Sequence, residues 1–200
     1  MIYRIFRLLL LIAAPVAAVS PAAQAQVLLE PACVVMNTDR VPLADRESPL
    51  DSVRFSIGGA PVKICYGRPS ARGRTMIGGP YVPYGSLWRT GANEPTMIHT
   101  TVPLIVAGIR IEAGSYSVYT VPTQGQWQLI LNRSVSQWGH ESNYTAEVRE
   151  SEVGRESVPT ERLTSHVEQF TIRVQPAGRD RAVIFVEWER TQVMIPITAG

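Results

Sequence analysis

Phe170-Thr171-Ile172-Arg173-Val174 and, after a break at Gly178, Ala182-Val183-Ile184-Phe185-Val186-Glu187-Trp188 carry the signal on which the fold turns. The first run alternates apolar and polar residues with period two, the mark of a strand buried on one face. The second is apolar on both faces, which places it centrally in a sheet. The same period continues outward in both directions. Val193, Ile195 and Ile197 close the chain, and Val62, Ile64 and Tyr66 alternate with Lys63 and Cys65. Met97, His99 and Thr101 share one face of the next run; Val102 to Val106 leads through Gly108 to Ile109-Arg110-Ile111, with a turn at Ala113-Gly114. Tyr116, Val118 and Thr120 alternate up to Pro122, and Trp127, Leu129 and Leu131 follow the Gln124-Gly125 turn. Val153 to Val158, carrying Arg155 and Glu156, reads as an edge strand. Ten or so short strands with turns every 8 to 12 residues predict an all-β protein, an antiparallel β-sandwich of jelly-roll-like kind. Glu141 to Glu152 spaces Tyr144 and Val148 as a helix would, but Asn143 and Thr145 are poor helix formers, so a helix is disfavoured.

Residues 1–25 read as a secretory signal peptide. Arg4 and Arg7 precede the apolar run Leu8 to Val19, and Ala23-Gln24-Ala25 offers a small-x-small cleavage site. The run is shorter than the ~20 residues of a membrane span, so the expected destination is periplasmic or secreted, with no membrane span after cleavage. Residues 26–52 carry Pro31, Asn37, Pro42 and Pro49 and no sustained period, and are expected to be an irregular leader. Residues 53–200 are then a single domain, large enough to bury its own core.

Without Arg4 and Arg7 the 19 basic residues fall to 17, equal to the 17 acids. Lys63 is the only lysine, and no basic cluster exceeds Arg72 to Arg74, so nucleic acid is excluded as a partner. The two cysteines, Cys33 and Cys65, are expected to pair in an oxidising compartment. His140 and His166 stand isolated, no metal-ligand spacing occurs, and no cofactor is implied.

The segment Gly67 to Glu94 contains six glycines, three prolines and four arginines, with Tyr81, Tyr84 and Trp88 among them. It must be a long loop, and long ordered loops are commonly functional. Arg68, Arg72 and Arg74 among glycines suit an anion, although the Gly-Lys-Ser/Thr of a nucleotide loop is absent. Trp88-Arg89-Thr90-Gly91-Ala92-Asn93-Glu94 combines a ring, a fork donor, an amide and a carboxylate, the mixture that binds sugars and small polar molecules. The same string also suits a structural clasp in which Arg89 pairs with Glu94 and Trp88 is core. The ligand-binding set is Arg68, Arg74, Trp88, Arg89, Asn93 and Glu94, with Trp138 as a second aromatic wall. The alternatives are a hydrolase using Glu94 as acid or base, beside His99, and a purely structural envelope protein. His99, sharing a face with Met97 and Thr101, reads as an interior histidine.

Tyr66-Gly67-Arg68-Pro69, Gly73-Arg74, Val82-Pro83-Tyr84-Gly85 and Trp88 to Glu94 resemble the signature of the bacterial family DUF2911, as do Ala113 to Ser117, Thr120-Val121-Pro122, Trp127, Asn132, Gln137-Trp138-Gly139, Glu168 to Ile172 and Trp188. The resemblance covers about residues 53–198 and implies an exported bacterial β-rich domain; it implies no activity, cofactor or catalytic residue. His140-Glu141 departs from it, since less polar residues are expected there.

Overall fold

A computed structural model describes residues 32–200; the signal-peptide reading lies outside the described residues. Ten antiparallel strands form two packed sheets. The six-stranded sheet has the order β1 (Leu50–Ile57), β2 (Ala60–Gly67), β3 (Thr96–Thr100), β6 (Gly114–Val121), β7 (Trp127–Asn132), β8 (Glu152–Val158). The four-stranded sheet runs β5 (Ile109–Ile111), β4 (Leu104–Val106), β10 (Arg181–Ala199), β9 (Thr160–Pro176). The architecture is the expected all-β sandwich. The chain meanders through one sheet, leaves it for the β4–β5 hairpin, returns for β6 to β8, and finishes in the long β9–β10 hairpin.

Period two explains the core. On the six-stranded sheet Val62, Ile64, Tyr66, Ile98, Val118, Leu129 and Leu131 face inward, against Phe170, Ile172, Ile184, Val186, Trp188 and Ile195 of the other sheet. Between the sheets remains a cavity of only about 20 Å³ lined by aliphatic side chains with Thr90 and Thr96. That is room for a single water at most, so the sandwich interior is packed and holds no ligand chamber.

Two expectations change. The runs around Ala182 to Trp188 and Val193 to Ile197 belong to one strand of 19 residues, β10, whose register shifts on either side of Glu189. Glu189 has φ of 53°, so a bulge absorbs the irregularity that the sequence displays as a break. Its partner β9 reaches 17 residues because beyond the bulge Glu161 and Arg162, both exposed, still pair with Gln192 and Thr191, leaving no apolar alternation to read. The second change is α1 (Ala146–Glu150), which forms against the propensity of its surroundings. Thr145 caps it, accepting from Val148 N at 3.3 Å, and Asn132 Nδ2 donates to Val148 O at 2.6 Å. Val148 joins Tyr119, Ile130 and Tyr144 in a second small core on the outer face of the six-stranded sheet. Tertiary burial overrides weak local preference here.

β1 begins at Leu50, inside the segment expected to be irregular, because Leu50 to Ser52 pair with Gly67 to Cys65. Residues 32–49 lie across the molecule and are pinned by a Cys33–Cys65 disulfide whose α-carbons are 5.7 Å apart. The bridge spans 32 positions, for which the chain-entropy model gives roughly 3 to 4 kcal/mol. Replacing both cysteines by serine is therefore expected to lower unfolding free energy by about that amount. Denaturant titration checks it, and alkylation under non-reducing denaturing conditions should label no thiol in the unaltered protein.

Candidate functional site

The loop joining β2 to β3 is rigidly built, and its last residues follow strand parity. Trp88 N donates to Thr120 O at 2.8 Å and Thr120 N to Trp88 O at 2.9 Å, so this segment extends the sheet beside the end of β6. Trp88 consequently points inward, while Leu87 packs on the outer-face cluster. The Trp88 ring stacks on Trp188 at 5.9 Å between centroids and meets Trp127 and Phe170 edge-on at 6.0 and 5.4 Å. Its indole N–H donates to Gly91 O at 3.2 Å. Trp88 is 4% exposed, a core residue with no free face on which a sugar can stack.

The remainder of the string performs structural tasks. Thr90 adopts φ of 54°, a costly conformation for a β-branched residue, of order 1–3 kcal/mol. Its hydroxyl shares a hydrogen bond with Thr120 at 3.0 Å and its carbonyl accepts from Thr96 Oγ1 at 2.6 Å, which over-determines the turn. Gly67 lies so close to this turn that a Cβ would stand 2.0 Å from Ala92 O. Asn93, also left-handed at φ 65°, donates from Nδ2 to Ser48 O at 2.9 Å. The alternative of a clasp between Arg89 and Glu94 gives way to one between Arg46 and Glu94: Arg46 Nη1 lies 2.8 Å from Oε2 and 3.1 Å from Oε1, and Met36 N donates to Oε1 at 2.6 Å. Arg46 Nη2 also donates to Met36 O at 2.6 Å. Both side chains of this ion pair are at most 5% exposed. Glu94 therefore fastens residues 36–46 to the sandwich.

Arg68 is similarly occupied, donating to Phe170 O and Thr171 Oγ1 at 3.1 Å each, with Asp51 at 3.4 Å. Arg72 meets Glu47 at 3.1 Å on the surface. Arg74 is anchored through Nε to Ala71 O (2.9 Å) and Nη2 to Ser70 O (3.0 Å), and its guanidinium covers the Tyr81 ring at 4.9 Å. Trp138 is half-buried beside Arg46, whose guanidinium carbon is 5.9 Å from the ring centre. His99 bonds Ser115 Oγ through Nδ1 at 2.7 Å, while its buried Nε2 has no partner among the described residues. Burial, then the charge of Lys63, lowers its pKa, so the ring is neutral at pH 7. His140 caps the short turn at Glu141–Asn143, and His166 sits exposed beside Glu168.

Residues that the sequence did not single out complete the loop. Glu189, at the β10 bulge, accepts from Met76 N at 3.1 Å and Ile77 N at 2.8 Å. The loop tip therefore hangs from the four-stranded sheet. Gly78 N donates to Val82 O (2.8 Å) and Gly85 N to Pro122 O (2.8 Å). At this tip Tyr81 and Tyr84 are 58% and 44% exposed, though a Cβ on Gly78 would meet the Tyr84 ring at 2.5 Å. Rigid backbone thus presents two tyrosines and one arginine to solvent. Arg46 has no spacing relation to Glu94 that a sequence reader can use, whereas Tyr81 and Tyr84 were visible as loop aromatics.

Breaking the Arg46–Glu94 pair strands a buried carboxylate, so Arg46→Ala should cost about 3 to 5 kcal/mol. Arg89→Ala, which leaves that pair intact and removes packing alone, should cost no more than about 1 kcal/mol. Urea unfolding of both variants checks the contrast.

Comparison with curated proteins and with solved structures returns no match. A family model described as a protein of unknown function matches residues 48–197, from the segment just before β1 to near the end of β10. The chain belongs to the DUF2911 family.

Proposed function

We propose that this protein is an exported β-sandwich module that binds a small polar or glycan-like ligand on the loop spanning residues 67–94, with Arg74, Tyr81 and Tyr84 at the tip as the contact surface. The observation that carries the reading is the fixed exposure of two aromatic rings. Tyr81 and Tyr84 are 58% and 44% exposed on a loop held by Glu189 and by backbone hydrogen bonds. Rings held in place lose little entropy on stacking against a sugar, and a pinned guanidinium beside them supplies an orienting donor. Export is supported by the signal-like residues 1–25 and is compatible with the disulfide.

The hydrolase alternative has little support from Glu94, whose carboxylate is 4% exposed and already accepts from Arg46 and Met36. A purely structural envelope role is the second reading, favoured by the commitment of Trp88, Asn93 and Glu94 to internal contacts.

Calorimetric titration with a panel of soluble oligosaccharides tests the proposal. At least one should bind, and the Tyr81→Ala/Tyr84→Ala double variant, folded as the parent, should bind it at least tenfold more weakly, about 1.4 kcal/mol. Equal binding by the double variant, or no binding of any oligosaccharide, contradicts the reading and favours the structural one.

A further inference from the structure

The outer face of the six-stranded sheet carries a cation that forms no ion pair among the described residues. Arg89 is next to Trp88 and has the opposite parity, and a Cβ on Gly139 would come within 2.6 Å of its Cδ, so the side chain lies beneath the turn at residues 137–140. Its Nε is buried and has no hydrogen-bond partner among the described residues. Among those residues no ion pair includes Arg89. A buried guanidinium donor without an acceptor forfeits its hydration with nothing in exchange.

A second unused donor lies beside it. Tyr119, 1% exposed, stands opposite Arg89 in the antiparallel register set by the Trp88–Thr120 bridge, on the same outer face. Gln137 fixes how the phenol is used. Gln137 Nε2 donates to Ser134 O at 3.0 Å, and Oε1 meets Ser134 Oγ at 2.7 Å, which sets the amide orientation. The same Nε2 donates to the Tyr119 oxygen at 3.0 Å. That oxygen is therefore an acceptor for Gln137, and among the described residues its own O–H proton meets no acceptor. Burial raises the Tyr119 pKa above its ordinary value, keeping that proton in place at neutral pH. The region's other charges are accounted for: Arg46 and Glu94 neutralise each other, and Glu141 acts on Arg89 through space without pairing with it.

We propose that Arg89 and Tyr119 form a binding site for a small oxyanion, a carboxylate or phosphate group, held between the guanidinium and the phenolic O–H. Charge-assisted bonds from both donors would satisfy the two groups the fold leaves unused. Arg89 as a whole is only half-buried, so an ion reaches its fork from solvent. The site shares no side chain with the Tyr81–Tyr84 tip. Glu141, exposed and in no ion pair among the described residues, is a competitor for the same guanidinium, and its removal should favour the ion.

Thermal unfolding in sodium phosphate and in sodium D-glucuronate, against sodium chloride at matched ionic strength, tests this, because an ion that binds only the folded state raises the melting temperature. The unaltered protein should gain stability from at least one oxyanion beyond the chloride control. Arg89→Ala should show no gain, Tyr119→Phe should need about tenfold more ion, and Glu141→Gln should respond at lower concentration. The Tyr81→Ala/Tyr84→Ala variant should respond as the unaltered protein does, which separates this site from the tip. A response to one oxyanion alone supports the site and assigns its class. An equal response in Arg89→Ala, or none in the unaltered protein, overturns the proposal; so does a Glu141→Gln variant that loses stability without ion, since Glu141 would then be the partner of Arg89.

Discussion

The burial of Trp88 is the constraint from which the rest of this structure follows. A tryptophan stacked on Trp188 and bordered by Trp127 and Phe170 ties the end of the long loop to both sheets at once. Truncating such a side chain costs about 3–5 kcal/mol, enough to fix the parity of its neighbours. With Trp88 turned inward, Leu87 must lie on the outer face, and Arg89 follows it. The strained turn at Thr90 and the left-handed Asn93 then reverse the chain into β3, where Glu94 meets Arg46. The most distinctive string in the sequence is thus a set of consequences of one packed ring.

Seen energetically, the loop is held from three directions. Residues 36–46 are drawn in by the Arg46–Glu94 pair and by the disulfide. The tip is suspended from Glu189, and residues 69–71 lie along the β9 edge, with Ala71 N donating to Glu168 O and Phe170 N to Pro69 O at 2.9 and 2.8 Å. That last contact also covers an exposed sheet edge. A loop anchored this heavily can display side chains without collapsing onto them, which is how Tyr81 and Tyr84 remain in solvent.

Much of the fold was legible because period two is a property of backbone geometry and survives in the sequence wherever one face is buried. Val62 to Tyr66, Tyr116 to Thr120 and Phe170 to Val174 all lie in strands at the expected places. The N-terminal half of β9 was hidden because most of its side chains are exposed and its two half-buried apolar residues, Leu163 and Val167, do not alternate, and α1 because burial of Val148 outweighs local propensity. At the candidate site, residue type was legible and pairing was not. Glu94 had a plausible partner five residues away in Arg89 and took one 48 residues away, Arg46, because parity sends Arg89 to a different face. Tyr119 could have been placed beside Arg89 by extending the inward alternation of Tyr116, Val118 and Thr120, since every residue between them must face out.

Hydrogen exchange at the Trp88 indole N–H, followed by NMR, reports directly on whether that ring holds the loop in place. That proton is donated to Gly91 O inside the aromatic cluster. It should exchange only through global unfolding, with the protection of the slowest core amides. Exchange at the rate of a surface indole, with the sandwich otherwise intact, would mean that Trp88 is free to leave the core and that the arrangement of the loop does not rest on it.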